Sequence, residues 1–180
     1  CASDAFGKAD KKFALDETYV PSRKGLDTLQ ASGSAEFSAA EFHVMAATLK
    51  KQAKGPVYIV DLRQESHGLF NGSAVSWYGK RDWGNLGKTR TAVLQDEQHR
   101  VLQALGQDVT VAVLGKDKAP AQTRTERVTQ AMTEQTMVEA AGLGYVRITA
   151  TDHVWTSPAC VDDFIAFYRQ LPKDAWLHFH

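Results

Sequence analysis

Three segments of this sequence place acids and histidines directly after a β-type run. Arg63-Gln64-Glu65-Ser66-His67-Gly68 follows the continuous apolar run Val57-Tyr58-Ile59-Val60-Asp61-Leu62. Thr151-Asp152-His153-Val154-Trp155-Thr156 follows Tyr145-Val146-Arg147-Ile148-Thr149-Ala150. Residues 175–180 alternate in polarity and close on His178-Phe179-His180. Loops beyond the carboxyl ends of strands are where open α/β sheets collect ligands. Carboxylates and imidazoles placed there can exchange protons or hold a metal. Asp61, Glu65, His67 and His153 are possible metal ligands by type, but no H-E-x-x-H or comparable spacing supports a metal site. The two cysteines offer little. Cys160 falls on the helix expected after Pro158 and reads as an ordinary helical thiol. Cys1 reads as an exposed chain end rather than a lipidated one.

The elements that must position these segments are announced locally. Ser38 and Glu41 have the spacing of a capping box, and Phe42, Met45 and Leu49 follow at helical spacing. Lys50, Lys51 and Lys54 suit the carboxyl end of that helix, and Gly55-Pro56 ends it. Residues 57–62 read as a buried strand, short and rich in β-branched side chains. From 63 to 90 the periodicity fails. The stretch reads as a long loop, a length that is uncommon unless functional, with Asn71-Gly72 and Trp83-Gly84-Asn85 as turn signals. Residues 91–105 read as a helix with Val93, Val101 and Leu105 inward. Residues 109–114 and, more weakly, 124–132 read as strands around a basic tip, Gly115-Lys116-Asp117-Lys118-Ala119-Pro120. Thr133 caps a helix that runs to Ala141 and stops at Gly142. Ser157-Pro158 opens another, with Val161, Phe164, Ile165 and Tyr168 on one stripe and Pro172 as its end. Residues 1–36 are polar and turn-rich, with 19–23 extended before and around Pro21. Strands alternating with helices argue an α/β sheet flanked by helices, with a small β-rich insert over 80–130 and the main domain over 1–79 and 131–180.

Composition narrows the function classes. The chain has 180 residues, 43% hydrophobic and 23% charged, which excludes disorder, collagen and coiled coil. Lys+Arg and Asp+Glu both number 21, so the net charge is zero. No global basic field exists for nucleic acid, and an anionic ligand would need a local basic pocket. No apolar run approaches the ~20 residues of a membrane span. No basic-then-apolar signal segment opens the sequence.

The strings Thr-Asp-His-Val-Trp at 151–155 and Leu-Pro-Lys-Asp-Ala-Trp-Leu-His-Phe-His at 171–180 resemble the bacterial protein-tyrosine-phosphatase-like phytases, also called cysteine phytases or inositol polyphosphatases. Stretches 19–28, 58–68, 71–87 and 132–135 agree, so the resemblance runs over most of the chain from about residue 19. It implies a protein-tyrosine-phosphatase-like central sheet flanked by helices, the insert being a partial β-barrel. It implies stepwise removal of phosphates from myo-inositol hexakisphosphate through a phosphocysteine intermediate, without metal or cofactor. In that family the last strand feeds a phosphate-binding loop, His-Cys-x5-Arg. Here His180 stands at the position of that His, so the nucleophilic Cys is expected next and the 180 residues read as part of a larger enzyme, which can hold tandem copies of this unit.

The resemblance also assigns roles. Asp152 falls on the general-acid loop and would protonate the leaving alkoxide, then deprotonate the water that hydrolyses the phosphocysteine. Thr156 stands where the family motif has Pro, which bears on loop stiffness. His180 would orient the nucleophile loop and help tune its thiol. His153 would contact substrate phosphate, and Trp155 would pack the loop. Glu65 and Asp82 match positions near the substrate, and Lys118 matches a phosphate-binding lysine. Arg63 could line the pocket or pair with Glu65. His178 is structural in this reading. Two alternatives stay open: a phosphatase for protein phosphotyrosine or phosphoinositides, and a non-catalytic inositol-phosphate-binding repeat. The family acts outside the cytoplasm, which suggests a secreted, periplasmic or cell-surface protein with a small-molecule substrate.

Overall fold

The computed structural model describes residues 24–79, 83–114 and 120–180, with Val20, Ser22 and Arg81. Of the residues singled out above, Cys1, Asp82 and Lys118 lie outside the described residues, as do most of segment 19–23 and the tip 115–119.

Ser38 opens α1 (Ala39–Gln52) as its spacing predicts. The Glu41 N–H donates to Ser38 Oγ, and Ser38 N–H donates to Glu41 Oε2 at 2.8 Å. Such a cap stabilises by about 0.5–2 kcal/mol. A short 3-10 turn, Leu26–Thr28, and β1 (Ala31–Gly33) precede it. After α1 the chain turns into β2 (Val57–Arg63), whose apolar run is buried on both faces. Residues 144–150 return as β8 (Gly144–Ala150) and 176–179 as β9 (Trp176–Phe179). These strands form one sheet, ordered β1-β9-β2-β8 and parallel throughout.

Two helices cover one face of that sheet and one covers the other, which is why its strands read as unbroken apolar runs. On the first face, α1 and α3 (Glu134–Ala140) bring Phe42, Leu49, Met137 and Val138 against Val57 and Ile59. On the second, α4 (Pro158–Tyr168) brings Phe164 and Phe167 against Val60, Ile148 and Leu177. Each large apolar side chain fully buried here contributes about 1.5–3 kcal/mol. Both helices start on the caps expected, Thr133 and Ser157, with Pro158 in the first turn of α4.

The stretch expected to be a loop contains a hairpin, β3 (His67–Phe70) and β4 (Ser73–Ser76). Its turn is Asn71-Gly72, and both residues have positive φ, 50° and 82°, as a type I′ turn requires. The strand itself escaped notice because all four residues of β3 are buried, so polar and apolar positions do not alternate. Gly68 is needed there: a Cβ would sit 2.7 Å from Val101 Cγ2. Helix α2 (Arg90–Ala104) packs Val101 and Ala104 against Phe70 and Val128 beneath this hairpin.

The single weak strand expected over 124–132 is two strands. β6 (Pro120–Arg127) pairs antiparallel with β5 (Asp108–Leu114), and β7 (Ala131–Met132) pairs with β3. The break between them is made by Asn71. Its Oδ1 accepts from the N–H groups of Thr129 and Gln130, at 2.9 and 3.1 Å, and pulls the backbone out of the ladder.

Candidate active site

Because β9, β2 and β8 are parallel neighbours, their carboxyl ends open on one edge of the sheet. Three of the expected site segments emerge there. His180 follows β9, Arg63 ends β2, and Asp152 lies two residues past β8. His180 still continues the ladder: its N–H donates to Val60 O at 3.2 Å, and Leu62 N–H donates to His180 O at 2.9 Å.

The acid loop stands away from the body. The Asp152 side chain is 57% exposed, and its Oδ2 lies 3.1 Å from Nε2 of His153. Asp152 Oδ1 accepts the His153 N–H at 2.8 Å, and His153 takes a left-handed backbone with φ 61°. Side chains from outside hold the loop at two of its backbone and side-chain oxygens. Trp83 Nε1–H donates to Asp152 O at 3.0 Å, and Gln64 Nε2–H donates to Thr151 Oγ1 at 3.3 Å. Trp155, expected to pack the loop, is 98% exposed instead. Val154 beside it is also exposed, so the loop's apolar residues find no surface of the described body to cover.

Glu65 is nearly buried and pairs with Arg63, whose Nε–H donates to Glu65 Oε1 at 2.5 Å. The other side of the same guanidinium pairs with Glu36. Burial opposes the Arg63 charge, but Glu36 and Glu65 outweigh it and hold its pKa above the ordinary value. The two readings of Arg63 are thereby decided for pairing. The loop 64–66 is clamped from beneath by Asn85, seen in the sequence only as a turn residue. Its buried Nδ2 donates to Gln64 O at 3.1 Å and Ser66 Oγ at 3.0 Å, while Oδ1 accepts from Lys88.

Under the same edge lies a buried ionic cluster that the sequence did not reveal. Arg147 is at its centre. Its Nη1–H donates to Asp61 Oδ2 at 2.7 Å, Nε–H to Arg63 O at 2.6 Å and Nη2–H to Glu65 O at 2.7 Å. Nη2 also lies 3.3 Å from Glu97 Oε2. Tyr145 donates its hydroxyl to Asp61 Oδ2 at 2.6 Å. His67 completes the cluster from β3. Its Nδ1 meets the Glu65 carbonyl oxygen at 3.0 Å, and its Nε2 meets Asp61 Oδ2 at 2.9 Å and Glu134 Oε2 at 3.2 Å. These three partners are acceptors and a fourth, Arg147 Nη1 at 3.2 Å from Nε2, is a donor; Nδ1–H donates to the carbonyl, and the two carboxylates outweigh the guanidinium to keep a proton on Nε2, so His67 is an imidazolium. Burial works against that charge, but Asp61 and Glu134 outweigh it and raise the His67 pKa to about 10. The Asp61 carboxyl is held far below its ordinary range: burial opposes ionisation, but His67 and Arg147 overcome it. Burial raises the Glu97 pKa, against the pull of Arg147 and His67.

Asp61, Glu134 and His180 each offer a ligand atom within 4.8 Å of the others. The set fits protonated partners better than a divalent ion, because Asp61 Oδ2 already receives bonds from Arg147, His67 and Tyr145. The His180 side chain is fully buried, its Nε2 2.7 Å from Glu134 Oε1 and its ring 4.8 Å from that of Phe37. Its Nδ1 is buried and has no hydrogen-bond partner among the described residues. His178 is structural, as expected: Nδ1 lies 2.8 Å from Ser32 Oγ and Nε2 3.0 Å from Ser34 Oγ, tying β9 to β1. Burial lowers the His178 pKa to about 4.

Known proteins share this arrangement of strands and helices. The tandemly repeated protein tyrosine phosphatase-like phytase of Mitsuokella multacida is 58% identical, with a TM-score of 0.86, over 89% of this chain and 27% of its own. A second structure from that organism, the PTP-like myo-inositol phosphatase in complex with myo-inositol-(1,3,4,5)-tetrakisphosphate, gives 58% identity and a TM-score of 0.87 over the same shares. A PTP-like phytase from Bdellovibrio bacteriovorus is 38% identical, with a TM-score of 0.68, over 86% of this chain and 54% of its own. Effector protein hopD2 of Pseudomonas syringae pv. tomato is 28% identical over 151 residues, which are 81% of this chain and 31% of that protein. The chain thus spans about a quarter to a half of the length of these relatives. The profile of the PTP-like phytases, described by the words inositol hexakisphosphate, matches residues 60–180. A match over more than half of its length shows that this chain belongs to the PTP-like phytase family.

Proposed function

We propose that this chain is one repeat of an enzyme that removes phosphates stepwise from myo-inositol hexakisphosphate through a phosphocysteine intermediate. The observation that carries the reading is the placement of an exposed acid, Asp152, and a buried histidine, His180, on neighbouring ends of parallel strands. The inositol tetrakisphosphate held by the Mitsuokella relative supports the substrate class, and that organism's tandem phytase supports the repeat.

In this mechanism the thiolate of a cysteine following His180 attacks phosphorus. The P–O bond to the inositol ring breaks, and Asp152 gives its proton to the departing alkoxide. Water then gives a proton to the Asp152 carboxylate as its oxygen attacks phosphorus, and phosphate leaves with return of the thiolate. The exposure of Asp152 suits a group that must meet substrate and then water. His153 beside it is the candidate phosphate contact, and Asp82, Lys118 and Glu65 are further candidates from the resemblance. No step requires a metal.

The test is phosphate release from inositol hexakisphosphate by the full-length protein, with EDTA present. Activity should persist, and Asp152→Asn should lower turnover by about 10²–10⁴, the usual contribution of a general acid. Loss of wild-type activity in EDTA would overturn the metal-free mechanism. A higher kcat/KM on a phosphotyrosine peptide would replace the substrate class.

A further inference from the structure

Glu134 touches two histidines at once. One carboxylate oxygen lies 3.2 Å from Nε2 of His67, and the other lies 2.7 Å from Nε2 of His180. The glutamate is buried, at the start of α3, and the groups around it come from every element packed there. Asp61 faces it from β2, His67 from β3, Tyr145 from β8 and His180 from the end of β9, while Glu97 of α2 and Arg147 of β8 reach His67. Burial opposes its ionisation, but hydrogen bonds from His180 and His67 prevail, so Glu134 is a carboxylate.

A carboxylate can only accept, so Nε2 of His180 must donate. In the neutral ring the other nitrogen then carries a lone pair. Nδ1 of His180 is buried without a partner among the described residues, at the end of the sheet where the chain leaves β9. We propose that Glu134 is a positioning residue for the nucleophile loop: anchored by His67, it keeps Nε2 of His180 as the donor and leaves Nδ1 for the backbone of the residues that follow. The inference rests on the proposed function only for what those residues do. His67 is the second positioning residue, because its imidazolium is itself fixed by Asp61 and by the Glu65 carbonyl.

Glu134→Gln separates this from a merely structural role. The amide keeps the shape but has one accepting oxygen. The imidazolium of His67 claims that oxygen, since it has a proton to give and no lone pair. The amide NH2 then faces His180, whose Nε2 must become the acceptor, so its ring inverts to the Nδ1–H tautomer. Nδ1 would then present a proton where an acceptor is needed. Long-range 1H–15N spectra of the histidines in the full-length protein read this directly. Wild type should show a protonated Nε2 at His180, and Glu134→Gln should show Nδ1–H with bare Nε2. Turnover should fall about 10–100-fold, as when the partner orienting a functional histidine is lost.

A wild-type His180 with a proton on Nδ1, whether alone or together with Nε2, would overturn the inference, and that measurement needs no variant. Wild-type turnover in Glu134→Gln would also overturn it. Should Glu134→Gln fail to fold, Glu134→Asp keeps the charge and must keep the protonated Nε2, and loss of that proton there counts against the proposal. An inactive wild type with the expected tautomer would sink the phosphatase reading and leave this one standing.

Discussion

Arg147→Met removes a cation that four separate groups share. The guanidinium donates to Asp61, to the carbonyls of Arg63 and Glu65, and lies against Glu97, with 3% of the residue exposed. Methionine fills most of the same volume, so the cavity is small and the loss is electrostatic. Breaking a buried ion pair by deleting one partner costs about 3–5 kcal/mol. Two stranded carbonyls add about 1–3 kcal/mol each where water does not reach them. Asp61 keeps His67 and Tyr145, which favours the low end, so we expect a total of about 5 kcal/mol. Against the 5–15 kcal/mol that stabilises an ordinary domain, that is a large fraction. With a urea dependence of about 1–3 kcal/mol per molar, the unfolding midpoint should fall by roughly 2–5 M. Hydrogen exchange of the β2 and β8 amides in the full-length protein should accelerate in step. Arg147→Lys keeps the charge but cannot span these partners, and should lie between. A loss below about 1 kcal/mol for Arg147→Met would refute the reasoning, since it would place the cluster among ordinary surface ion pairs.

Two further outcomes follow from neighbouring groups. His178 has its folded pKa lowered to about 4 from 6.5, so the fold holds it neutral where the unfolded chain takes up a proton. Its contribution is complete above pH 6.5 and lost as pH falls towards 4; a stability profile of His178→Asn should be flatter across that window, and an unchanged slope would refute the assignment. Asn85→Ala should cost about 1–3 kcal/mol and lower kcat/KM on inositol hexakisphosphate, because it frees the 64–66 loop that carries Glu65; wild-type kinetics would show that the clamp is dispensable.

What the sequence made legible is what neighbours in the chain decide. Ser38 with Glu41, Thr133 and Ser157-Pro158 announced helix starts because a cap bonds within three residues. The run 57–62 announced a buried strand, and Asn71-Gly72 a turn. The strand β3 was hidden because burial on every side erased its alternation. The ionic cluster was hidden for a different reason. Arg147 and Asp61 are 86 residues apart, His67 and Glu134 67 apart, and Glu134 and His180 46 apart. No local pattern marks such pairs; the clue was only an arginine in the middle of an apolar strand, and acids on the inward faces of α2 and at the start of α3. Asp152 and His180 were found through resemblance, and their common edge follows from a strand order that no local signal carries.

That strand order also dictates a schedule. In the sheet β1 hydrogen-bonds to β9 and not to β2, so residues 31–33 find their place against 177–179. During synthesis at about 5–20 residues per second, β1 waits roughly 7–30 s before its partner exists. Until then β1 and β2 flank an empty slot, two unsatisfied edges that invite pairing with other chains. The strand that fills the slot is the one that leads into His180. Completion of the sheet and assembly of the reactive corner are therefore a single late event. A ribosome-bound chain thus has residues 151–156 before it has the strand that carries His180, and that strand is the keystone of this sheet.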